Sequence, residues 1–187
     1  MAGLLYPAYQ KFYSALKNLQ RFDKENNFFD NVSSLDSFFS EYRSITLVLQ
    51  KSLAHTPYIE RYKVLAKEKF SDSWMNDQRV KTVHIHPVEF LKQIEVSVYL
   101  PFGKLFCLQR TFTVDDDIPL SSYQEELTKY FCELSEDEVF FSAKFSFIEK
   151  ESGKDIWNKL SKGLSLMNDL METLYQEIDE NCSLCDN

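Results

Sequence analysis

Two of the chain's three histidines, His84 and His86, fall in one short stretch, WMNDQRVKTVHIHP, together with Arg79. An imidazole exchanges protons close to neutral pH, and a guanidinium is a rigid, permanently charged fork. Such a pair could move a proton and hold an anion. The bland alternative is a polar helix end, with Arg79 paired to a surface acid or capping a turn and His84 a hydrogen-bonded interface histidine. Spacing restricts the chemistry. Residues five apart on a straight helix differ by ~140° in direction. One continuous helix therefore cannot aim Arg79 and His84 at the same atom. Their cooperation needs a bent segment, or a symmetric second copy that brings another pair into the same cleft.

Other residues offer weaker chemistry. His84 and His86 would share a face on a strand and could then ligate a metal, but on a helix they diverge. Neither an acidic residue nor a cysteine stands ready beside them to complete a set, and no metal or cofactor is expected. Cys182 and Cys185 form a lone C-x2-C near one end of the chain, and a structural zinc needs two more ligands. Cys107 and Cys132 are poorly placed to supply them, so this segment reads as a frayed tail. Asp115, Asp116 and Asp117 read as a solvated acidic loop. His55, before Thr56-Pro57, suits the negative end of a helix. No G-x-S-x-G, Walker, dinucleotide-binding, kinase or zincin pattern occurs.

The elements that must position Arg79 and His84 are mostly helical. Tyr9, Phe12, Tyr13, Leu16 and Leu19 recur at three- and four-residue spacing over residues 7–22. Residues 26–31 are rich in asparagine and read as a break, and Ser33-Ser34-Leu35-Asp36 reads as a helix start. Leu35, Phe38, Phe39, Tyr42, Ile45, Leu49 and Leu53 then carry an apolar stripe to about Ala54. Thr56-Pro57 interrupts it, because proline disfavours a helical residue before it. A third helix is expected from Tyr58 to Phe70, and a fourth from about Ser73, ending or bending before Pro87. The period then changes to two. Ile94, Val96, Val98 and Leu100 alternate with Glu95, Ser97 and Tyr99, as in a half-buried strand. Pro101-Phe102-Gly103-Lys104 can turn the chain into a second strand carrying Phe106, Leu108, Phe112 and Val114. A short helix opens at Ser122, and Val139, Phe141, Ala143, Phe145 and Phe147 alternate as a third strand. Finally Ile156, Leu160, Leu164, Met167, Met171, Leu174 and Ile178 mark a helix of ~40 Å over residues 154–180. The expected fold class is mainly α (α+β), a bundle of four to five helices with a small β-β-α-β insertion before a long C-terminal helix. Within a single domain of 187 residues, 5–90 plus 152–180 would form the bundle and 91–150 the insertion.

Composition narrows the function. A formal charge of −8 works against nonspecific binding to nucleic-acid phosphates, so any RNA contact needs a local basic or dipolar pocket. With four glycines, phosphate-cradling glycine loops are not expected. No run approaches the ~18 apolar residues of a membrane span. The N-terminus lacks a basic-then-apolar signal pattern, and the cytoplasm is the expected location. The four cysteines are then expected as reduced thiols.

Arg79-Val-Lys-Thr-Val-His84, in the fourth helix after three amphipathic ones, resembles the motif of the HEPN superfamily of small helical domains in bacteria and archaea. That motif is an arginine followed four to six residues later by histidine in a late bundle helix. The resemblance covers residues ~5–90 and extends to the C-terminal helix, whereas the β-containing block lies outside the usual core. It implies metal-independent RNA cleavage of a toxin or defence type at the cleft of a homodimer. His84 would act as general base or acid on a ribose 2′-hydroxyl, and Arg79 would stabilise charge on the phosphate. Asn76, Lys81 and His86 join them as binding positions. RNA would be the substrate, and an antitoxin or other protein a partner. Many catalytic members carry a polar residue directly after the arginine; here it is Val80, a departure that bears on activity more than on fold. The competing class is a non-enzymatic interaction module with a degenerate Arg–His motif.

Overall fold

The asparagine-rich stretch expected to break the chain instead begins its second helix. In the computed structural model, Asn27 Oδ1 accepts the backbone N–H of Asp30 (2.9 Å) while Asn27 Nδ2 donates to Asp30 Oδ2 (2.9 Å). The first bond satisfies a backbone N–H that a helix start leaves open, and the second braces the two side chains. The helix consequently runs from Phe28 to Leu53, beginning before the Ser33–Asp36 segment where a start was expected. The structure describes residues 2–70, 74–84, 89–102, 104–114, 122, 123, 125, 127, 129 and 140–183.

Most of the described residues are helical. The helices are α1 (Tyr6–Leu19), α2 (Phe28–Leu53), α3 (Ile59–Phe70), α4 (Trp74–His84) and α5 (Ile156–Ser183). The strands are β1 (Phe90–Phe102), β2 (Lys104–Val114) and β3 (Phe140–Glu149), in an antiparallel sheet of order β2-β1-β3. Residues 122, 123, 125, 127 and 129 are also helical. The chain divides into two compact units, one of residues 1–21, 33–88 and 158–187, the other of 22–32 and 89–157. Residues 22–32 thus belong with the sheet, whereas the sequence grouped them with the helices.

In the helical unit the α2 stripe is the spine. Leu35, Phe38, Phe39, Tyr42, Ile45, Leu49 and Leu53 are all buried, as are Leu160, Met167, Leu170, Met171, Leu174 and Ile178 of α5. The Tyr42 hydroxyl donates to the Gly163 carbonyl of α5 at 2.9 Å, and the Tyr62 hydroxyl of α3 donates to the Thr46 carbonyl of α2 at 3.0 Å. At the end of α2, Thr56 Oγ1 and Thr56 N both donate to the Leu53 carbonyl. His55 is exposed in the turn that follows α2.

The first helix departs from its expected face. Its buried residues are Ala8, Ala15 and Leu19, whereas Tyr13 is 61% exposed and Tyr9, Phe12 and Leu16 are half-buried. Ala8 and Ala15 stand seven residues apart, two turns of helix, so the inward stripe consists of small side chains and the rings flank it. Hydrophobicity alone ranked the rings first. Fit selected the alanines.

In the sheet unit, β1 buries Phe90, Lys92, Ile94 and Val96, the even-numbered face of the strand. Phe22, Phe90, Phe147 and Trp157 pack together there, with ring centroids 4.4–5.7 Å from Phe22 to the others. Lys92 is completely buried, and its Nζ donates to the Asn26 carbonyl at 2.8 Å. Asn31 fastens the same segment: its Oδ1 accepts from Asp23 N (3.0 Å) and its Nδ2 donates to the Asp23 carbonyl (2.9 Å). Gly153, at φ +62°, closes the turn between β3 and α5, a backbone conformation that other residues reach only with strain. Asp155 Oδ1 then accepts the Trp157 N–H at 2.7 Å, capping α5.

Candidate functional site

The Arg–His motif lies on one uninterrupted helix, α4. Tryptophan opens that helix, and its ring is held from two sides. The Phe39 ring of α2 meets it edge-on at 5.8 Å, and Lys159 Nζ of α5 lies 4.9 Å from its centroid. The next residue, Met75, is buried against the backbone of Gly163 in α5, with so little space that a Cβ on Gly163 would sit 2.5 Å from Met75 Cγ. One turn later Gln78 is also buried. Met75 and Gln78, spaced i and i+3, therefore define the inward face of α4. Asp77 in the first turn complements the positive end of the helix dipole.

This anchoring fixes where the remaining positions of α4 fall. Asn76 and Asp77 are exposed, Val80 is 38% exposed, and Lys81 is half-buried. At 100° per residue, position 84 shares the face of Asp77 and Val80, while position 79 falls between Met75 and Asn76. The bent segment, one of the two arrangements that would reunite Arg79 and His84, is absent from the backbone of α4, which is helical from Trp74 to His84. A single copy leaves the two positions on different faces. His86 lies outside the described residues, so the His84/His86 metal alternative does too.

The other candidates are distributed elsewhere. Cys182 is within the last turn of α5, so the helix continues into the segment expected as a frayed tail, and Cys185 lies outside the described residues. Cys107 is on β2. Cys132 and the Asp115–Asp117 run lie outside the described residues. Among the described residues no group of three His, Cys, Asp or Glu side chains comes together as a metal site. Among them too, no helix is long and apolar enough to cross a membrane.

Two features near α4 escaped the sequence reading. Arg43 and Thr46 of α2 flank the buried stripe and, with Asn76, line a cavity. They stand next to Tyr42 and Ile45 of the apolar stripe, whose spacing carries no signal of a void. Gly163 of α5, which leaves room for Met75, carries no signal of that contact in its sequence neighbourhood. Compared with families of known proteins, with curated proteins and with solved structures, the chain matches none.

Proposed function

We propose that this chain is an HEPN-like, metal-independent ribonuclease of the cytoplasm, of toxin or defence type, whose cleft is built by two copies. The observation that carries the reading is the unbroken α4, anchored by Met75 and Gln78, with positions 79 and 84 on different faces. Pairing of two such helices about a two-fold axis supplies what one helix cannot, an arginine and a histidine beside one phosphate. His84 takes the proton of a ribose 2′-hydroxyl, and the 2′-oxygen attacks the adjacent phosphorus. The bond to the 5′-oxygen breaks, and that oxygen takes up a proton. A 2′,3′-cyclic phosphate and a 5′-hydroxyl remain. Arg79 stabilises the charge that develops on the phosphate oxygens. Asn76, Lys81 and His86 contact the RNA around it.

The test is cleavage of single-stranded RNA by the purified chain in excess EDTA, with end-group analysis of the products. Cyclic-phosphate ends that vanish in both Arg79→Ala and His84→Ala support the reading, with losses of about 10²–10⁴-fold expected for a general base. Absence of cleavage by a folded dimer leaves the interaction module, which the net charge of −8 favours over an RNA partner.

A further inference from the structure

Within the helical unit, a partly enclosed cavity of about 260 Å³ is lined by residues of α2, α3, α4 and α5. Its walls are mostly apolar and aromatic: Tyr42, Tyr62, Phe70, Met75 and Met167, with Ala66 between them. One permanent cation stands in the wall. The Arg43 guanidinium gives one side-chain hydrogen bond, from Nη1 to Thr46 Oγ1 at 3.1 Å. Among the described residues its buried Nε has no acceptor and no carboxylate pairs with the guanidinium. A guanidinium without a carboxylate partner in a largely apolar wall suits an anion.

The remaining polar groups narrow the ligand. Both tyrosine hydroxyls already donate within the protein, Tyr42 to Gly163 and Tyr62 to Thr46. Burial raises both phenols above their ordinary range, with the Arg43 cation opposing the shift at Tyr62, so the rings are neutral walls at physiological pH. A carboxylate suits the planar guanidinium, whose N–H groups favour paired hydrogen bonds to its two oxygens. A phosphate would bring more charge and more oxygens than one guanidinium, with Thr46 and Asn76 as the other polar wall residues, can satisfy. Size sets the body of the ligand. Benzene fits an engineered apolar cavity of ~150 Å³, and drug-sized ligands need roughly 300–1,000 Å³. One aromatic ring with a short acid arm lies between these limits.

We propose that this cavity binds a small aromatic monocarboxylate, its carboxylate on Arg43 and its ring against Tyr42, Tyr62, Phe70, Met75 and Met167. The inference uses Arg43 rather than Arg79 and His84, shares only Met75 and Asn76 with the Arg–His reading, and survives its failure.

The full-length chain, with its methionine methyl groups labelled with ¹³C, is titrated with phenylacetate and followed by NMR. The Met75 and Met167 methyl resonances shift together and saturate, at a Kd of about 1 mM or tighter. Phenylacetamide and inorganic phosphate produce no saturable shift of either. Arg43→Gln removes the anchor and Ala66→Phe fills the cavity while keeping the cation; each weakens binding by about tenfold or more. Circular dichroism identifies the variants that are folded, and either one alone decides the matter. No saturable shift with benzoate, phenylacetate or 3-phenylpropionate at about 5 mM overturns the proposal. So does equal binding of phenylacetamide, saturable binding of phosphate in place of phenylacetate, or wild-type affinity in a folded variant.

Discussion

Gly163 carries two duties that a side chain would disturb. Its carbonyl accepts the Tyr42 hydroxyl, and its missing Cβ makes room for Met75. Alanine at this position gains about 1 kcal/mol of helix propensity and meets an overpacking cost of about 1–3 kcal/mol against Met75. Gly163→Ala is therefore expected to destabilise the protein, and in a Met75→Ala background the same change is expected to stabilise it. Denaturant melts of the four proteins measure this reversal. Asp36 is a second informative residue. Among the described residues its buried Oδ1 has no hydrogen-bond partner, and burial raises its carboxyl above the ordinary aspartate range. A raised native pKa means that its contribution is fullest below the unfolded value, ~3.9, and is lost as pH climbs through the native one. Asp36→Asn should raise the thermal midpoint at about pH 7 and leave it unchanged at about pH 3. A benefit present equally at both would contradict the assignment.

At the scale of elements, the sequence revealed periods well and faces less well. The α2 stripe was legible because seven large apolar residues repeat at three and four with no competing pattern. The α1 stripe misled because aromatic rings outranked Ala8 and Ala15, the residues that are buried. The alternation of β1 was legible from Ile94 to Leu100, but the same parity assigns Lys92 to the apolar face, and a lysine there reads as a strand edge. The Asn26 carbonyl, brought near by the 22–32 segment, accepts from its buried ammonium. That segment read as a break for a related reason. Asparagine side chains substitute for backbone partners, so they mark turns and helix caps alike. Asn31 illustrates how much such a residue can hold. Asn31→Ala orphans the Asp23 N–H and carbonyl in a part-buried loop and is expected to cost about 1–3 kcal/mol. Loss of stability should be accompanied by faster amide exchange across residues 22–32.

At the scale of the whole molecule, the sequence located the Arg–His motif on a fourth helix and fixed the angle between its members. It could not say whether that helix bends. The unbroken α4 answers this, since Met75 and Gln78 hold one side of it and leave positions 79 and 84 apart. The proposed nuclease is consequently an activity of two chains. If each working cleft takes arginine from one copy and histidine from the other, inactive variants can repair one another. Arg79→Ala and His84→Ala, mixed in equal amounts and allowed to exchange subunits, should regain roughly a quarter of wild-type cleavage, because half the dimers then carry one intact cleft of two. Mixed protein as inactive as either variant alone, with exchange verified by mass, would contradict the account.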